Sequence, residues 1–140
     1  MKIFLITLSM IISFSIALAQ DKTKINCDSA QTQTDMNMCA EINYKKADKE
    51  LNTVYKDLMK KIRDNEDSAD AETFAHDKKY ENAVIQAQKK WLEYRDSFAH
   101  IWELKYEGGS MGPMMYFGEL TRLTRSQIKE LQDLLNEEDY

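Results

Sequence analysis

Apolar side chains between Tyr44 and Ile62 recur every three or four positions, the period of one helix face. The positions are Tyr44, Ala47, Leu51, Tyr55, Leu58 and Ile62, and no Gly or Pro interrupts them. Thr34 is placed to cap the N-terminus, and Asp35 would lie in the first turn, where an acidic residue suits the helix dipole. The pattern predicts a first helix from about Asp35 to Arg63.

A second stripe follows a polar acidic run over residues 64–68. It consists of Tyr80, Val84, Ala87, Trp91, Tyr94, Phe98 and Ile101. Alternating steps of four and three are typical of a helix whose apolar stripe lies along a neighbouring helix. We therefore predict a second helix from near residues 69–74 to about Tyr106.

A glycine-rich segment, Gly108–Pro113, interrupts the helical pattern and holds three of the four glycines and the only proline. Gly can end a helix in the left-handed conformation, and Pro suits the first position of the next helix. A third stripe then runs through Phe117, Leu120, Thr124, Gln127 or Ile128, Leu131 and Leu135. Three helices with short connections predict an all-α fold, a three-helix antiparallel up-down-up bundle.

The N-terminus has the features of an export signal. Lys2 precedes the apolar stretch Ile3–Ala17, and Ala17-Leu18-Ala19 is a small-x-small cleavage pattern. The apolar stretch is short for a membrane span and no stop-transfer charges follow it. We expect a cleavable signal peptide over residues 1–19, cleaved near Ala19, and one domain over residues 20–140, in the periplasm or the medium; an uncleaved anchor is the alternative.

Cys27 and Cys39 are the only cysteines. In an exported protein the expected state of such a pair is a disulfide, here worth roughly 3 kcal/mol if unstrained. The bridge would pin the N-terminal loop to the first helix. His76 and His100 have no Cys or His at ligand spacing, so neither a metal site nor a cofactor is predicted.

The chain is acidic, with a formal net charge of −5 that becomes −6 once Lys2 is removed with the signal peptide. This sign argues against nucleic acid and anionic membrane surfaces as partners and favours a basic protein. Solubility alone is the simpler explanation of the charge.

No sequence feature singles out a catalytic centre. The chain lacks a nucleophile elbow, a phosphate-binding glycine loop and an HExxH pair. Its carboxylates stand beside lysines at helical spacing, as in Glu41/Lys45 and Asp57/Lys61, which is typical of a solvated helix surface. We do not predict an enzyme.

A group of polar and aromatic residues lies near the facing stripes of the first two helices. Its members are Asp48, Asn52, Gln88, Trp91, Arg95 and Asp96. We expect Arg95 to bridge to Asp48, with Asn52 or Gln88 satisfying leftover donors, because an Arg fork matches a carboxylate. The predicted role is to fix helix register rather than to bind a ligand.

The glycine-rich segment has two interpretations. It can be a sharp helix reversal and nothing more, or an exposed loop that enters a partner's cleft, with Gly109, Ser110 and Met111 as the contact residues. The methionines Met111, Met114 and Met115 would then form an adaptable apolar patch, or pack into the core.

Three blocks in order resemble the LprI-type lysozyme inhibitor family. The first comprises Cys27, residues 33–40 and 47–52, and Tyr55; the second is 88–96; the third is 108–110, 113–114, Tyr116, 120–121 and Arg125. The resemblance implies an exported helical domain and, for some members, inhibition of lysozyme. The family often carries a second cysteine pair, where this chain has Ala99 and Glu119. We therefore expect a partner that is a lysozyme-type protein, or alternatively another envelope protein bound by a non-inhibitory or structural module.

Overall fold

The computed structural model describes residues 25–66 and 71–137, and within them the chain is almost entirely helical. A short 3-10 helix over Cys27–Ser29 precedes α1 over Gln33–Glu66, α2 over Ala71–Lys105 and α3 over Gly112–Asn136. Within these ranges no helix is long and apolar enough to cross a membrane. The predicted signal peptide and its cleavage site near Ala19 lie outside the described residues.

Contacts at both ends show that α1 and α3 run in the same direction. At one end, the Asn37 side-chain amide donates to the Ser110 carbonyl, just before α3, at 3.0 Å. At the other end, the Lys61 ammonium donates to the carbonyls of Leu135 at 3.3 Å and Glu137 at 2.6 Å. The two helices are therefore in parallel register along their length.

The middle helix α2 runs in the opposite direction. Arg63, near the end of α1, donates from Nε to Glu81, near the start of α2, at 2.7 Å. Further along α2, Arg95 reaches back to Asp48 in the first half of α1. The predicted up-down-up order of the three helices is confirmed.

The main hydrophobic core lies between α1 and α3, at the end of the bundle away from the Gly108–Pro113 loop. Its buried members are Leu51, Val54, Leu58, Met59, Ile62, Val84, Ile128 and Leu131. Only Val84 comes from α2, which agrees with the closer association of α1 with α3 than with α2.

The predicted inner stripe of α2 is only partly right: Val84 is buried and Trp91 and Phe98 are half-buried, but other members face solvent. Tyr94 and Ile101 are 50% and 56% exposed, respectively. The fully buried positions of α2 are Val84, which the stripe predicted, and Glu81, Gln88, Arg95 and Ala99, which lie outside the predicted stripe. The buried face of α2 thus combines apolar and polar residues, whereas Tyr94 and Ile101 lie outside it.

The start of α1 also differs from the prediction. Thr32, not Thr34, is the N-cap: its carbonyl accepts the first helical hydrogen bond from Met36, and its hydroxyl accepts from the Asp35 backbone N–H at 3.1 Å. The Thr32 hydroxyl also donates to the Asp35 carboxylate at 2.7 Å. The first of these two hydroxyl bonds is the one that a capping box makes, but the Asp35 carboxylate accepts from the Thr32 hydroxyl and not from the Thr32 backbone N–H.

The predicted Cys27–Cys39 disulfide is confirmed, with the two Cα atoms 5.5 Å apart. Cys39 is buried on the second turn of α1, while Cys27 opens the short 3-10 helix. The bridge therefore fastens the segment before α1 to the loop end of the bundle.

Two buried threonines on α3 differ in whether the side-chain hydroxyl has a hydrogen-bond partner, so they can be compared directly. Thr124 is 0% exposed, and its hydroxyl has no hydrogen-bond partner among the described residues. The Thr121 hydroxyl, by contrast, donates to the Phe117 carbonyl at 2.7 Å. Because Thr124→Val removes an unpaired buried polar atom at nearly constant volume, we expect the free energy of unfolding to rise by about 1 kcal/mol.

Thr121→Val is the control for this comparison, since it removes a hydroxyl that is already paired. Its free energy of unfolding should stay the same or fall by up to about 1 kcal/mol in denaturant titrations. Equal effects of the two substitutions would contradict the assignment of Thr124 as the unsatisfied group.

The Glu81 ion pair makes the junction of α1 and α2 sensitive to acid. Hydrogen bonds from Arg63 and Lys78 hold the pKa of Glu81 below its ordinary value of 4.5. A lowered folded-state pKa stabilises the fold above the ordinary value, and this stabilisation is lost as the pH falls through the folded-state value. Glu81→Gln should therefore be less stable than the parent at neutral pH, with the difference shrinking once the pH falls below 4.5.

The measurement is denaturant unfolding of both proteins across a pH series, repeated with Arg63→Gln in each background. Loss of Arg63 removes the largest cause of the shift, so the acid-dependent difference should become smaller. A difference that stays constant from neutral to acid pH would rule out this linkage.

Candidate functional site

Arg95 is the most buried charged residue in the described part of the chain. It is 5% exposed, although it projects from the middle of a surface helix. Its Nε donates to Asp96 Oδ1 and its NH1 to Asp48 Oδ1, both at 2.9 Å. Its guanidinium carbon lies 5.5 Å from the centre of the Tyr44 ring and 5.3 Å from that of Trp91. The cation is thus shared between two carboxylates and two aromatic faces.

Burial and charge act in opposite directions on the titrating groups around this cluster. Burial alone lowers the pKa of Arg95, but hydrogen bonds to Asp96 and Asp48 outweigh it, so its pKa is raised and it stays charged. Burial raises the pKa of Tyr44, and also that of Tyr116 on α3. The pKa values of Arg95, Tyr44 and Tyr116 are thus all raised further above neutral pH, so none of these three groups exchanges protons there.

Neither of the two amides predicted near Arg95 bonds to Arg95 itself. Asn52 Nδ2 donates to the Asp48 carbonyl at 2.8 Å and to its carboxylate at 3.4 Å. Gln88 Oε1 accepts from Gln127 Nε2 on α3 at 3.0 Å. Asn52 thus orients the acidic partner of Arg95, whereas Gln88 ties α2 to α3 through a partly buried amide pair.

The loop between α2 and α3 is built from backbone hydrogen bonds. Gly108 has a φ of 75°, a left-handed conformation that glycine adopts without strain. The Gly109 N–H donates to the Tyr106 carbonyl at 3.1 Å, and the Gly112 N–H donates to the Gly109 carbonyl at 3.4 Å. A Cβ at Gly109 would lie 3.3 Å from the Tyr106 carbonyl oxygen, so a larger residue would crowd the turn.

The first turns of α1 hold this loop from the side. Asn37 donates to the Ser110 carbonyl, and Gln33 Nε2 donates both to Asn37 Oδ1 at 2.9 Å and to the Met114 sulfur at 3.8 Å. Sequence reasoning missed this role for Gln33 and Asn37. Their spacing of four along a helix was the one available signal, and it says only that they share a face.

The predicted contact residues are displayed on this supported loop. Ser110 is exposed, and Met111 is 39% exposed at the N-cap of α3. Next to them lies an open depression of about 340 Å³ lined by residues that include Glu103, Leu104 and Glu107. We refer to Glu103, Leu104, Glu107, Ser110 and Met111 as the loop surface; its apolar members Leu104 and Met111 are both among the large exposed hydrophobic residues.

The excess negative charge of the described chain is confined to the half of the bundle with the loop. Residues 25–48 and 95–118 contain seven Asp or Glu against four Lys or Arg, a formal charge of −3. The rest of the described chain contains twelve of each, a formal charge of zero. The loop surface therefore stands in the acidic half.

Ala99 and Glu119, where the family resemblance led us to expect a second cysteine pair, have other contacts in the structure. Ala99 is completely buried against the neighbouring helices. Glu119 forms an ion pair with Arg122 one turn further along α3. In this chain, the loop is held by the α1 side-chain hydrogen bonds in place of a second covalent tie.

Among the described residues, no group of three or more His, Cys, Asp or Glu side chains is arranged to hold a metal ion. His76 contacts Asp77, and His100 contacts Glu103 at 2.8 Å.

Comparison with known proteins gives a consistent result. The family described as "Lysozyme inhibitor LprI" matches residues 25–131, which include all three helices almost to the end of α3. An uncharacterized protein of Rhizobium meliloti (strain 1021) is 34% identical over 113 residues, which are 79% of this chain and 78% of that protein. No solved structure matches the chain significantly.

The planar guanidinium of Arg95 should be essential to the helix interface in a way that charge alone is not. Arg95→Lys keeps the charge but cannot bond two carboxylates while stacking between two rings. We expect the free energy of unfolding to fall by about 1–3 kcal/mol. Arg122→Lys is the control, because that side chain is 60% exposed.

The control should lose less stability than Arg95→Lys, because Arg122 itself is largely exposed and solvent screens its ion pair. Denaturant unfolding of the two variants beside the parent measures both effects. Comparable small losses would show that the shape of the Arg95 group is unimportant.

Proposed function

The chain belongs to the LprI lysozyme inhibitor family, and from that premise we propose that it inhibits a lysozyme by direct protein–protein binding. The loop surface is the proposed contact region, with Ser110 and Met111 entering the sugar-binding cleft of the enzyme. We place the protein in the periplasm or the medium, after cleavage of residues 1–19. The family is one of inhibitors rather than of catalysts, so the chain itself performs no chemistry in this proposal.

The observation that carries the proposal is a narrow loop that is both exposed and held in place. Asn37 and Gln33 brace it from α1, and Gly112 closes it against Gly109. A preorganised loop loses little conformational entropy on binding, so more of the contact energy is available as affinity. Family membership and this display of Ser110 and Met111 support the same function.

Charge supports the same choice of partner. Glycosidases that act on anionic cell-wall polymers benefit from a basic surface, and an acidic inhibitor is attracted to such a surface over a distance of about one Debye length. The acidic residues of the loop surface, Glu103 and Glu107, line the same depression as its exposed Leu104. This arrangement of apolar contacts beside charges suits a protein interface in which charge steers the encounter and apolar contact sustains it.

The test is turnover of cell-wall substrate by lysozymes of several classes, titrated with the protein at low and moderate salt. We expect saturable inhibition whose association rate falls as salt increases. Ser110→Arg should weaken inhibition by at least about tenfold, because it adds a bulky, positively charged side chain that a basic partner repels at the centre of the contact. Its fold should persist, since Asn37 bonds the backbone carbonyl of Ser110 and not its side chain.

A pair of charge reversals locates the interface. Glu103→Lys with Glu107→Lys should slow association by about tenfold at low salt, and the effect should fade at high salt. Glu50→Lys with Asp57→Lys makes the same change of net charge in the neutral half, on α1, and should leave inhibition nearly unchanged. Equal effects of the two double variants would move the interface away from the loop surface.

If no lysozyme class is inhibited, the alternative is a module that binds another envelope protein without inhibiting an enzyme. Capture of one stoichiometric partner from an envelope extract, lost in Ser110→Arg, would then favour that function.

A further inference from the structure

The methionines of the described chain are unevenly placed. Six lie within it: Met36, Met38, Met59, Met111, Met114 and Met115. Five belong to the first turns of α1 or the start of α3, next to the loop, whereas Met59 lies in the main core. A thioether packs like an aliphatic group but, unlike leucine, can be oxidised.

Exposure divides these methionines into distinct classes. Met38 and Met111 are 44% and 39% exposed, whereas Met59 is 5% exposed. Met114 is half-buried, and its sulfur accepts a hydrogen bond from Gln33. Because an oxidant must reach the sulfur lone pair, Met38 and Met111 are the accessible sites and Met59 is the protected one.

Met111 and Met38 lie in different parts of the fold. Met111 follows Ser110 in the loop and fixes the start of α3, where its carbonyl accepts from the Met115 N–H at 3.1 Å. Met38 follows Asn37 on α1, and its neighbour Cys39 is buried while Met38 itself faces solvent. Only Met111 therefore belongs to the loop surface and projects beside the residue proposed to enter the partner.

We propose that Met111 is a reversible oxidation site that weakens partner binding when a peroxide converts it to the sulfoxide. The sulfur lone pair attacks one peroxide oxygen, and an S–O bond forms as the O–O bond breaks. The departing hydroxide removes the proton from the transferred hydroxyl group and leaves as water. The thioether is oxidised by two electrons and the peroxide is reduced. A methionine sulfoxide reductase reverses the change.

The consequence for binding, which rests on the proposed function, follows from desolvation. The sulfoxide is a strong hydrogen-bond acceptor, whereas the loop contact needs an apolar group that sheds water on docking. Burying this acceptor without a partner should reduce inhibition by about tenfold.

The first experiment measures chemistry without any partner. The folded full-length mature protein is treated with hydrogen peroxide, and peptide mass spectrometry follows the gain of one oxygen at each methionine over time. We expect Met111 and Met38 to react first and Met59 last, with unfolding abolishing the order. Oxidation of Met111 no faster than Met59 would overturn the proposed site.

The second experiment measures lysozyme inhibition before and after peroxide, in the parent and in Met111→Leu and Met38→Leu. Each protein is compared with itself, so any change caused by the substitution alone is divided out. The parent and Met38→Leu should lose about tenfold, and Met111→Leu should lose little. Treatment with a methionine sulfoxide reductase should restore the parent.

An equal loss in Met111→Leu would assign the effect to another residue and overturn the proposal. If the untreated parent inhibits no lysozyme, the proposed function fails, and the effect on inhibition fails with it. The order of oxidation is independent of that result and still supports or overturns Met111 as the modification site.

Discussion

The buried guanidinium of Arg95 is the interaction on which the rest of the arrangement depends. A cation at 5% exposure must be paired, and here Asp48 on α1 and Asp96 on α2 pair it between the rings of Tyr44 and Trp91. Apolar packing tolerates small slips along a helix, but this geometry does not, because moving α2 by one residue would separate the fork from Asp48. The Arg95–Asp48 contact therefore adds a directional constraint on the register of α2 against α1 to the apolar packing of Val84.

That register positions the loop. Arg95 stands ten residues before the last residue of α2, roughly 15 Å along a helix. The end of α2 thus arrives next to the first turns of α1, where Asn37 reaches the Ser110 carbonyl. The disulfide at Cys39, two residues beyond Asn37, strengthens the same region from the other side. Although Ala99 and Glu119 form no disulfide, the loop is connected to α1 by these contacts.

Sequence reasoning succeeded where apolarity and burial coincide and failed where they do not. The stripes of α1 and α3 were predictable because Leu58 and Leu120 are both apolar and buried. On α2 the buried face carries Glu81, Gln88 and Arg95 beside Val84, so hydrophobic periodicity found Val84 but also placed the exposed Tyr94 and Ile101 on the inner face. The pairing of Arg95 with Asp48 was still accessible from chemistry, whereas the support of Ser110 by Asn37, 73 residues apart, becomes visible only in the folded chain.

The main hydrophobic core and the loop surface proposed to bind the partner lie at opposite ends of the bundle. The apolar cluster lies between the second half of α1 and the second half of α3, in the half of the chain whose formal charge is zero. The loop half has the unbalanced carboxylates and the exposed Leu104 and Met111, features that add little to folding. Because contacts far apart contribute nearly independently to stability, the loop surface can be specialised, or oxidised at Met111, without loosening the distant core.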